Sequence, residues 1–203
     1  MSTPSMSVPR SKPLRLAVLP RSTTLVNAAL VVGGVLFMAL FAQISIPLSW
    51  TPVPITGGTF AVAIIGTAYG AYLGGLTLFA YYLAGMAGAP FYADGNSGWD
   101  VATGPTAGYL VGFIFAAFAM GWLAERRWDR RLSSSISLML CGTVVIYAFG
   151  LAWLSYDLGW GLNETLEGGL YPFVIGDVIK LYLAAALVPL AWKGVERLKG
   201  RQP

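Results

Sequence analysis

Apolar residues occur along this chain in long runs, with almost all charged residues confined to the stretches between them. Five runs cover most of the sequence, at residues 25–42, 59–88, 107–124, 132–156 and 172–192. A helix rises 1.5 Å per residue and needs about 20 residues to cross a hydrocarbon core about 30 Å thick. The pattern therefore predicts an all-α, multi-pass integral membrane protein of the plasma membrane.

The second run is too long for a single crossing. Its centre, at residues 69–75, reads YGAYLGG, in which glycines and tyrosines interrupt the apolar sequence. Because glycine permits tight turns, this segment is predicted to join two compact helices in a short-looped hairpin. Counting the hairpin as two crossings, the chain has six predicted transmembrane helices.

The distribution of basic residues supports the same count. Residues 1–24 carry four basic residues and no acid, the loop 125–131 carries four arginines, and the tail from Lys193 carries four basic residues against Glu196. Basic residues near the ends of membrane spans stay in the cytoplasm. Both termini are therefore predicted to be cytoplasmic, which requires an even number of crossings.

Three regions follow from this topology. Residues 1–24, rich in proline and serine, are predicted to be a disordered cytoplasmic arm. Residues 25–193 form the six-helix membrane domain, and residues 194–203 form a basic cytoplasmic tail.

Composition removes several classes of function. Hydrophobic residues make up 56% of the chain and charged residues 11%, against roughly 25% charged in soluble domains. The chain has no histidine and a single cysteine, Cys141, which excludes disulfide frameworks, cysteine or histidine metal sites and histidine-based catalysis. There is no GxxxxGK[ST] phosphate-binding loop. We therefore predict no catalytic residue, no metal, no cofactor and no nucleic-acid partner.

Asp177 and Lys180 are the exception to the apolar character of the last run. A charge near the bilayer centre costs about 2.5 to 3.5 kcal/mol on insertion scales, so such residues usually face a partner, a cavity or a ligand. If the helix begins near Pro172, Asp177 lies about 7 Å and Lys180 about 12 Å from its outer end. The pair is then accessible from outside, and the alternative is an intrahelical ion pair that only lowers the insertion cost.

Two predicted external connections have unusual sequences. Residues 43–56 read QISIPLSWTPVPIT, with three prolines and no charge, and this stretch must be extended or turned because proline blocks helix. Residues 89–106 read APFYADGNSGWDVATGPT, in which Asn96 offers both a donor and an acceptor. Both could fold over a cavity; the alternatives are an interfacial connector for the first and an ordinary turn-rich loop for the second.

Three motifs together resemble the BioY family, the biotin-binding S component of energy-coupling-factor (ECF) transporters. They are TPVPIT at 51–56, GPTAGYLVGF at 104–113 and GDVIK at 176–180, and the resemblance covers nearly the whole chain. Ala107 stands where the family usually has glycine, and Gly57 and Gly58 follow the first motif where a longer polar residue is usual. The resemblance implies an ECF S-component fold of six helices that captures biotin from outside.

The family's ligand-holding residues correspond to Asp177, Lys180 and Asn96. A carboxylate and cationic or amide donors suit the two N–H groups and the carbonyl of biotin's ureido ring. The rest of biotin needs an apolar wall. Four aromatic residues are candidates for it, and the alternative is that they pack inside the protein or lie at the membrane interface. These are Phe91, Tyr92, Tyr109 and Trp153.

The resemblance also implies partners, namely a transmembrane coupling protein and two cytoplasmic ATPases. Ala29 and Gly33 lie at small-xxx-small spacing in the first helix and could allow close helix approach to the coupling protein, or could pack against the protein's own helices. Two other functions stay open: an S component for riboflavin or thiamine, and a non-transport membrane assembly protein.

Overall fold

The fold consists almost entirely of helices. A computed structural model describes residues 11–19 and 23–199 of the 203-residue chain. The helices are α1 (Leu14–Val18), α2 (Thr24–Ala42), α3 (Gly58–Tyr69), α4 (Ala71–Met86), α5 (Trp99–Thr103), α6 (Ala107–Ala124), α7 (Leu132–Leu158), α8 (Leu162–Gly169) and α9 (Val174–Lys199). Two short strands, β1 (Ser45–Ile46) and β2 (Ile55–Thr56), complete the secondary structure together with a 3-10 turn at Ala93–Gly95.

Four of the described helices, α2, α6, α7 and α9, are long and apolar enough to cross a membrane. The hairpin predicted within residues 59–88 is present, since Gly70 alone separates α3 from α4. Gly70 has φ of 85°, a backbone conformation that glycine adopts without the strain other residues incur. Helices α3 and α4, at 12 and 16 residues, are shorter than the other four.

Helix α6 packs closely against its neighbours because small residues line two of its faces. A Cβ added at Gly108 would lie 2.5 Å from the Phe149 carbonyl oxygen of α7, and one added at Gly121 would lie 2.3 Å from the Ala71 nitrogen of α4. Small residues at such positions let helix backbones approach closely. This packing brings the middle of α7 next to the interior.

The outward faces of the long helices are apolar. Leu36 on α2, Phe115 on α6, Val144 on α7 and Leu183 on α9 are all exposed. An exposed apolar surface of this extent suits contact with lipid chains rather than water.

The N-terminal segment differs from the predicted disordered arm. Residues 11–19 include α1, the Ser11 N–H donates to the Glu125 carbonyl at 2.7 Å, and the Arg15 side chain donates to the Tyr69 carbonyl at 2.8 Å. The prediction missed this order because the partners are carbonyl groups at the ends of α3 and α6, far away in sequence. Residues 1–10 and 20–22 lie outside the described part of the chain.

The C-terminal boundary also differs from the sequence interpretation. Helix α9 continues to Lys199, so the first part of the predicted tail 194–203 is helical. Residues 200–203 lie outside the described residues.

Two connections meet at the end of the bundle where α9 begins. Residues 45–56 form a hairpin in which Ser45 pairs with Thr56 and Ile46 with Ile55, as expected for an extended segment. The connection between α4 and α6 contains the 3-10 turn and α5, a helix that the sequence did not predict. Gln43 Nε2 donates to the Tyr92 carbonyl at 2.9 Å, and the Ser45 hydroxyl donates to Asp94 at 3.3 Å, which ties the two connections together.

Candidate ligand-binding cavity

A cavity of about 240 Å³ lies beneath these two connections. Its floor and sides come from all six of the longer helices, and the hairpin and the 3-10 turn cover it. Its apolar lining includes Met38, Leu48, Val53, Val101, Leu110, Phe113, Ile146 and Phe173. Its polar lining includes Thr51, Thr56, Thr59, Asn96, Thr106, Tyr109, Tyr147, Asp177 and Lys180. Mostly apolar walls with a few placed polar groups are typical of small-molecule sites.

Asp177 is the most strongly hydrogen-bonded of the polar residues. Lys180 Nζ donates to Oδ1 at 2.8 Å, the Thr59 hydroxyl donates to Oδ1 at 3.0 Å, and the Tyr147 hydroxyl donates to Oδ2 at 2.6 Å. Asp177 lies in the first turn of α9, where the helix dipole also favours negative charge. Three donors therefore converge on one carboxylate, whose side chain is only 9% exposed.

The Asp177–Lys180 pair combines both interpretations left open by the sequence. It is an ion pair within one helix, at i and i+3, and it also lines the cavity. Lys180 Nζ has a second, long contact of 3.5 Å to the Thr59 hydroxyl. The pair is therefore both neutralised locally and positioned to meet a polar ligand.

Thr59 and Tyr147 are polar partners that the sequence analysis did not identify. Thr59 lies in the first turn of α3, three residues after the end of the 51–56 motif, and Tyr147 lies in the middle of the apolar helix α7. A tyrosine hydroxyl deep in a membrane span needs a hydrogen-bond partner, and this was the available signal. Its partner on α9 is 30 residues away in sequence and could not be inferred.

Three further predicted residues line the cavity. Tyr109 is buried, donates to the Gly169 carbonyl at 2.8 Å and packs edge-to-face on Tyr147 with ring centroids 6.2 Å apart. Tyr92 donates to the Tyr82 carbonyl at 2.6 Å, and burial raises the pKa of its phenol, which keeps it a donor. Asn96 is exposed on the cavity rim.

The structure does not bring Phe91 and Trp153 into this group. Trp153 Nε1 donates to the Gly104 carbonyl at 3.0 Å, and its side chain lines a separate groove with Phe149 and Tyr156. Phe91 offers its backbone carbonyl to the Tyr81 hydroxyl at 2.9 Å, and its side chain is absent from the cavity lining. Neither side chain lines the cavity in this structure.

Ala29 and Gly33 both lie on an exposed face of α2. A Cβ added at Gly33 would meet no atom within 4 Å, whereas one added at neighbouring Gly34 would lie 2.6 Å from Thr77. Gly34 therefore packs inside the protein, and the Ala29–Gly33 face makes no such internal contact.

The described residues contain no group of three or more histidine, cysteine, aspartate or glutamate residues placed to hold a metal ion. The site that remains is a cavity with one hydrogen-bonded carboxylate, one ammonium group and several neutral donors. Together with the apolar outer faces, this site is typical of one class of protein: a multi-pass membrane protein with a cavity suited to a small molecule that has a polar group.

Comparison with known proteins supports and narrows this class. The profile of the BioY family matches residues 13–197. The chain is 34% identical over 184 residues to the biotin transporter BioY of Rhizobium etli, covering 87% of this chain and 97% of the relative. It is 37% identical over 155 residues to the biotin transporter BioY of Thermotoga maritima, covering 76% of this chain and 88% of the relative.

A solved structure shares the fold. The crystal structure of the S-component for biotin from an ECF-type ABC transporter superposes with a TM-score of 0.73 at 23% identity, covering 85% of this chain and 95% of that one. The chain belongs to the BioY family, as its three motifs predicted, and it is a multi-pass integral membrane protein.

Proposed function

We propose that this chain is the biotin-capturing S component of an ECF-type transporter and takes part in biotin uptake. The observation that carries the proposal is the Asp177 carboxylate, held by Thr59, Tyr147 and Lys180 at the wall of a covered cavity. The biotin transporters of Rhizobium etli and Thermotoga maritima match this chain over 97% and 88% of their own length. The chain is then a substrate-binding subunit rather than an enzyme.

The chemistry of the cavity matches the ureido end of biotin. The Asp177 carboxylate can accept a ureido N–H, while Lys180 and Asn96 can donate to the ureido carbonyl. Apolar residues such as Val53, Leu110 and Phe113 can surround the sulfur ring and aliphatic chain. A cavity of about 240 Å³ is below the roughly 300–1,000 Å³ of drug-sized sites, which favours compact biotin over the larger riboflavin.

Titration calorimetry on the purified chain tests this function. We expect tight binding of biotin, weaker binding of desthiobiotin, which keeps the ureido group but lacks the sulfur ring, and no binding of riboflavin or thiamine. Failure of well-folded protein to bind biotin would contradict the proposal. Binding of riboflavin or thiamine instead would assign the chain to another vitamin.

The proposed topology has six transmembrane helices with both termini in the cytoplasm. The hairpin of α3 and α4 supplies two compact crossings, and the basic residues of the 125–131 loop lie at the end of the bundle opposite the cavity. The membrane domain then spans 25–193 and the cavity opens to the outside. Trp99→Cys and Arg131→Cys, each made alone in the Cys141→Ser protein, test this orientation. A membrane-impermeant thiol reagent added to intact cells should label the Trp99→Cys protein and not the Arg131→Cys protein.

We propose that the exposed Ala29–Gly33 face of α2 contacts a coupling protein that carries two cytoplasmic ATPases. Gly33→Leu should leave the free protein folded, because the space around Gly33 is empty, yet it should block close approach of another helix. Val32→Leu is a matched change at a neighbouring exposed position. Uptake of biotin by cells expressing all subunits should fall only in the glycine variant, with biotin binding unchanged in both.

A further inference from the structure

A second recess lies at the end of the bundle opposite the biotin cavity. It occupies about 650 Å³ between the 125–131 loop, the start of α7 and the last turns of α9. Its lining is mostly basic and hydroxyl-bearing, and we call it the basic groove. Its lining includes Arg127, Trp128, Arg130, Arg131, Lys193 and Glu196.

The charge of the basic groove is not neutralised internally. Four basic side chains line it against one acid, Glu196. Arg130 is the cation with acidic neighbours, lying 3.6 Å from both Asp129 and Glu196 and stacking over the Trp192 ring at 3.3 Å. Within residues 11–19 and 23–199, no salt bridge occupies Arg127, Arg131 or Lys193.

Backbone geometry adds further attraction for an anion. The 27-residue helix α7 begins at Leu132, and its N-cap residue Arg131 supplies no side-chain hydrogen bond. The first N–H groups of a helix and its dipole favour negative charge. Ser133 and Ser134 lie in this first turn and line the groove. The Ser134 hydroxyl donates to the Arg131 carbonyl at 3.1 Å, so it is the Ser133 hydroxyl that can serve as a donor beside the unpaired cations.

The surroundings of the groove favour a lipid over a free anion. Exposed apolar side chains flank it on both helices, with Leu132 on α7 52% exposed and Leu190 on α9 58% exposed. Trp128, in its lining, is 42% exposed, and tryptophan is enriched at the membrane–water interface. A phospholipid with its phosphate in the groove could therefore place its acyl chains against the neighbouring apolar surface.

From these observations we propose that the basic groove binds the phosphate headgroup of an anionic phospholipid, with Arg127, Arg131 and Lys193 as its cationic contacts. The site lies at the other end of the bundle from the biotin cavity and is independent of it. Basic pockets between transmembrane helices bind anionic lipid headgroups in other proteins. The cytoplasmic location of the groove depends on the proposed topology. The test described next does not depend on that topology.

Native mass spectrometry of the full chain with added lipid tests the proposal. We expect phosphatidylglycerol to bind more tightly than phosphatidylcholine with the same acyl chains. Three changes together, Arg127→Gln, Arg131→Gln and Lys193→Gln, should weaken phosphatidylglycerol binding about 100-fold, since each cation near an anionic surface contributes about fivefold. The matched control is Lys12→Gln, Arg197→Gln and Lys199→Gln, which removes the same charge outside the groove and should retain the lipid.

Several outcomes would overturn the proposal. If the two lipids bound equally, the groove would have no preference for an anionic headgroup. If both triple variants lost phosphatidylglycerol binding equally, the binding would be nonspecific electrostatic attraction. Displacement of the lipid by millimolar inorganic phosphate or glycerol phosphate, with no preference for the lipid, would assign the groove to a free anion. Biotin binding should be unchanged in both triple variants. If the unaltered chain did not bind biotin, the proposed function would be wrong, but the lipid test would still decide whether the basic groove binds phosphatidylglycerol.

Hydrogen exchange on the unaltered chain gives a readout that needs no variant. Nanodiscs containing phosphatidylglycerol should slow amide exchange in residues 125–134 relative to phosphatidylcholine nanodiscs, with no change in residues 89–98. Equal exchange of residues 125–134 in the two lipids would contradict the proposal.

Discussion

Two buried aspartates, one at each end of the bundle, differ in what surrounds them. Asp177 receives three hydrogen bonds, from Lys180, Thr59 and Tyr147, and faces a cavity. Asp129 has a side chain only 1% exposed, accepts one hydrogen bond from Trp192 Nε1, and its Oδ1 has no hydrogen-bond partner in the described structure. One carboxylate faces a cavity and is held by three donors, and the other is enclosed against α9.

The two environments have different consequences for energy. The three donors hold the Asp177 carboxylate in position at the cavity wall, where its oxygens can also accept from a ligand. At Asp129, burial raises the pKa of the carboxyl above its ordinary value, while Trp192 and Arg130 oppose the shift. Asp177 is therefore expected to affect binding, and Asp129 to affect the attachment of the 125–131 loop to α9.

The change Asp177→Asn should have the largest effect. It removes the charged acceptor and leaves Lys180 without its ion-pair partner, so biotin affinity should fall about 100-fold, or about 2.7 kcal/mol. Titration calorimetry with biotin measures this loss. Asp100→Asn, at an exposed acid in α5 outside the cavity lining, should bind like the wild type, and equal affinity of the two variants would contradict the role of Asp177.

At the other end of the bundle, Trp192→Phe should lower stability without affecting biotin. The phenyl ring can still stack beneath Arg130, but the N–H that Asp129 accepts is lost, which should lower the free energy of unfolding by about 2 kcal/mol. Unfolding in mixed detergent measures the difference. Trp99→Phe, at an exposed tryptophan, is the control, and similar losses in both variants would mean that the indole N–H has no special role.

A smaller binding effect is expected for Tyr147→Phe. The change deletes the 2.6 Å hydrogen bond to Asp177 Oδ2 and keeps the ring that packs on Tyr109. Biotin affinity should fall about tenfold, or about 1.4 kcal/mol, because Asp177 loses one of three donors. Tyr182→Phe changes an exposed hydroxyl on α9 and should have no effect; unchanged affinity in Tyr147→Phe would show that this hydroxyl does not hold the carboxylate for biotin.

The pH dependence of stability should give the smallest difference. Because the pKa of Asp129 is higher in the folded than in the unfolded state, the group stabilises the fold most below the unfolded value of about 3.9. That contribution is lost as pH rises through the folded pKa. The free energy of unfolding of the wild type, relative to Asp129→Asn, should therefore decrease as pH rises above about 3.9 and then level off. A difference independent of pH would contradict the shift.

Much of the helical pattern was readable from the sequence, but the ends of elements were less so. The Gly70 break, the extended 45–56 hairpin and the long apolar helices follow from local residue types, because glycine, proline and hydrophobic runs act over a few residues. Helix α5 and the ordered 11–19 segment were missed. The latter is held by bonds from Ser11 and Arg15 to distant carbonyl groups, and local patterns contain no information about such partners.

The candidate site was predicted in part for the same reason. Asp177 and Lys180 are conspicuous in any apolar run, and Asn96 and Tyr109 belong to motifs or loops that the sequence analysis had already identified. Thr59 and Tyr147 are ordinary residues within helices, and only their convergence on one carboxylate gives them a role. Conversely, Phe91 and Trp153 had suitable chemistry but lie outside the cavity lining.

Membrane location, membership of the BioY family and a charged pair in the last apolar segment could all be inferred from the residues alone, because composition, run length and motif order are properties of the chain. The folded structure was needed to show which side chains face that pair, which glycines of α2 pack inward, and where the loop arginines lie beside α9. These depend on helix rotation and on packing between segments that are far apart in the chain, as in the contact of Thr59 with Asp177, 118 residues away.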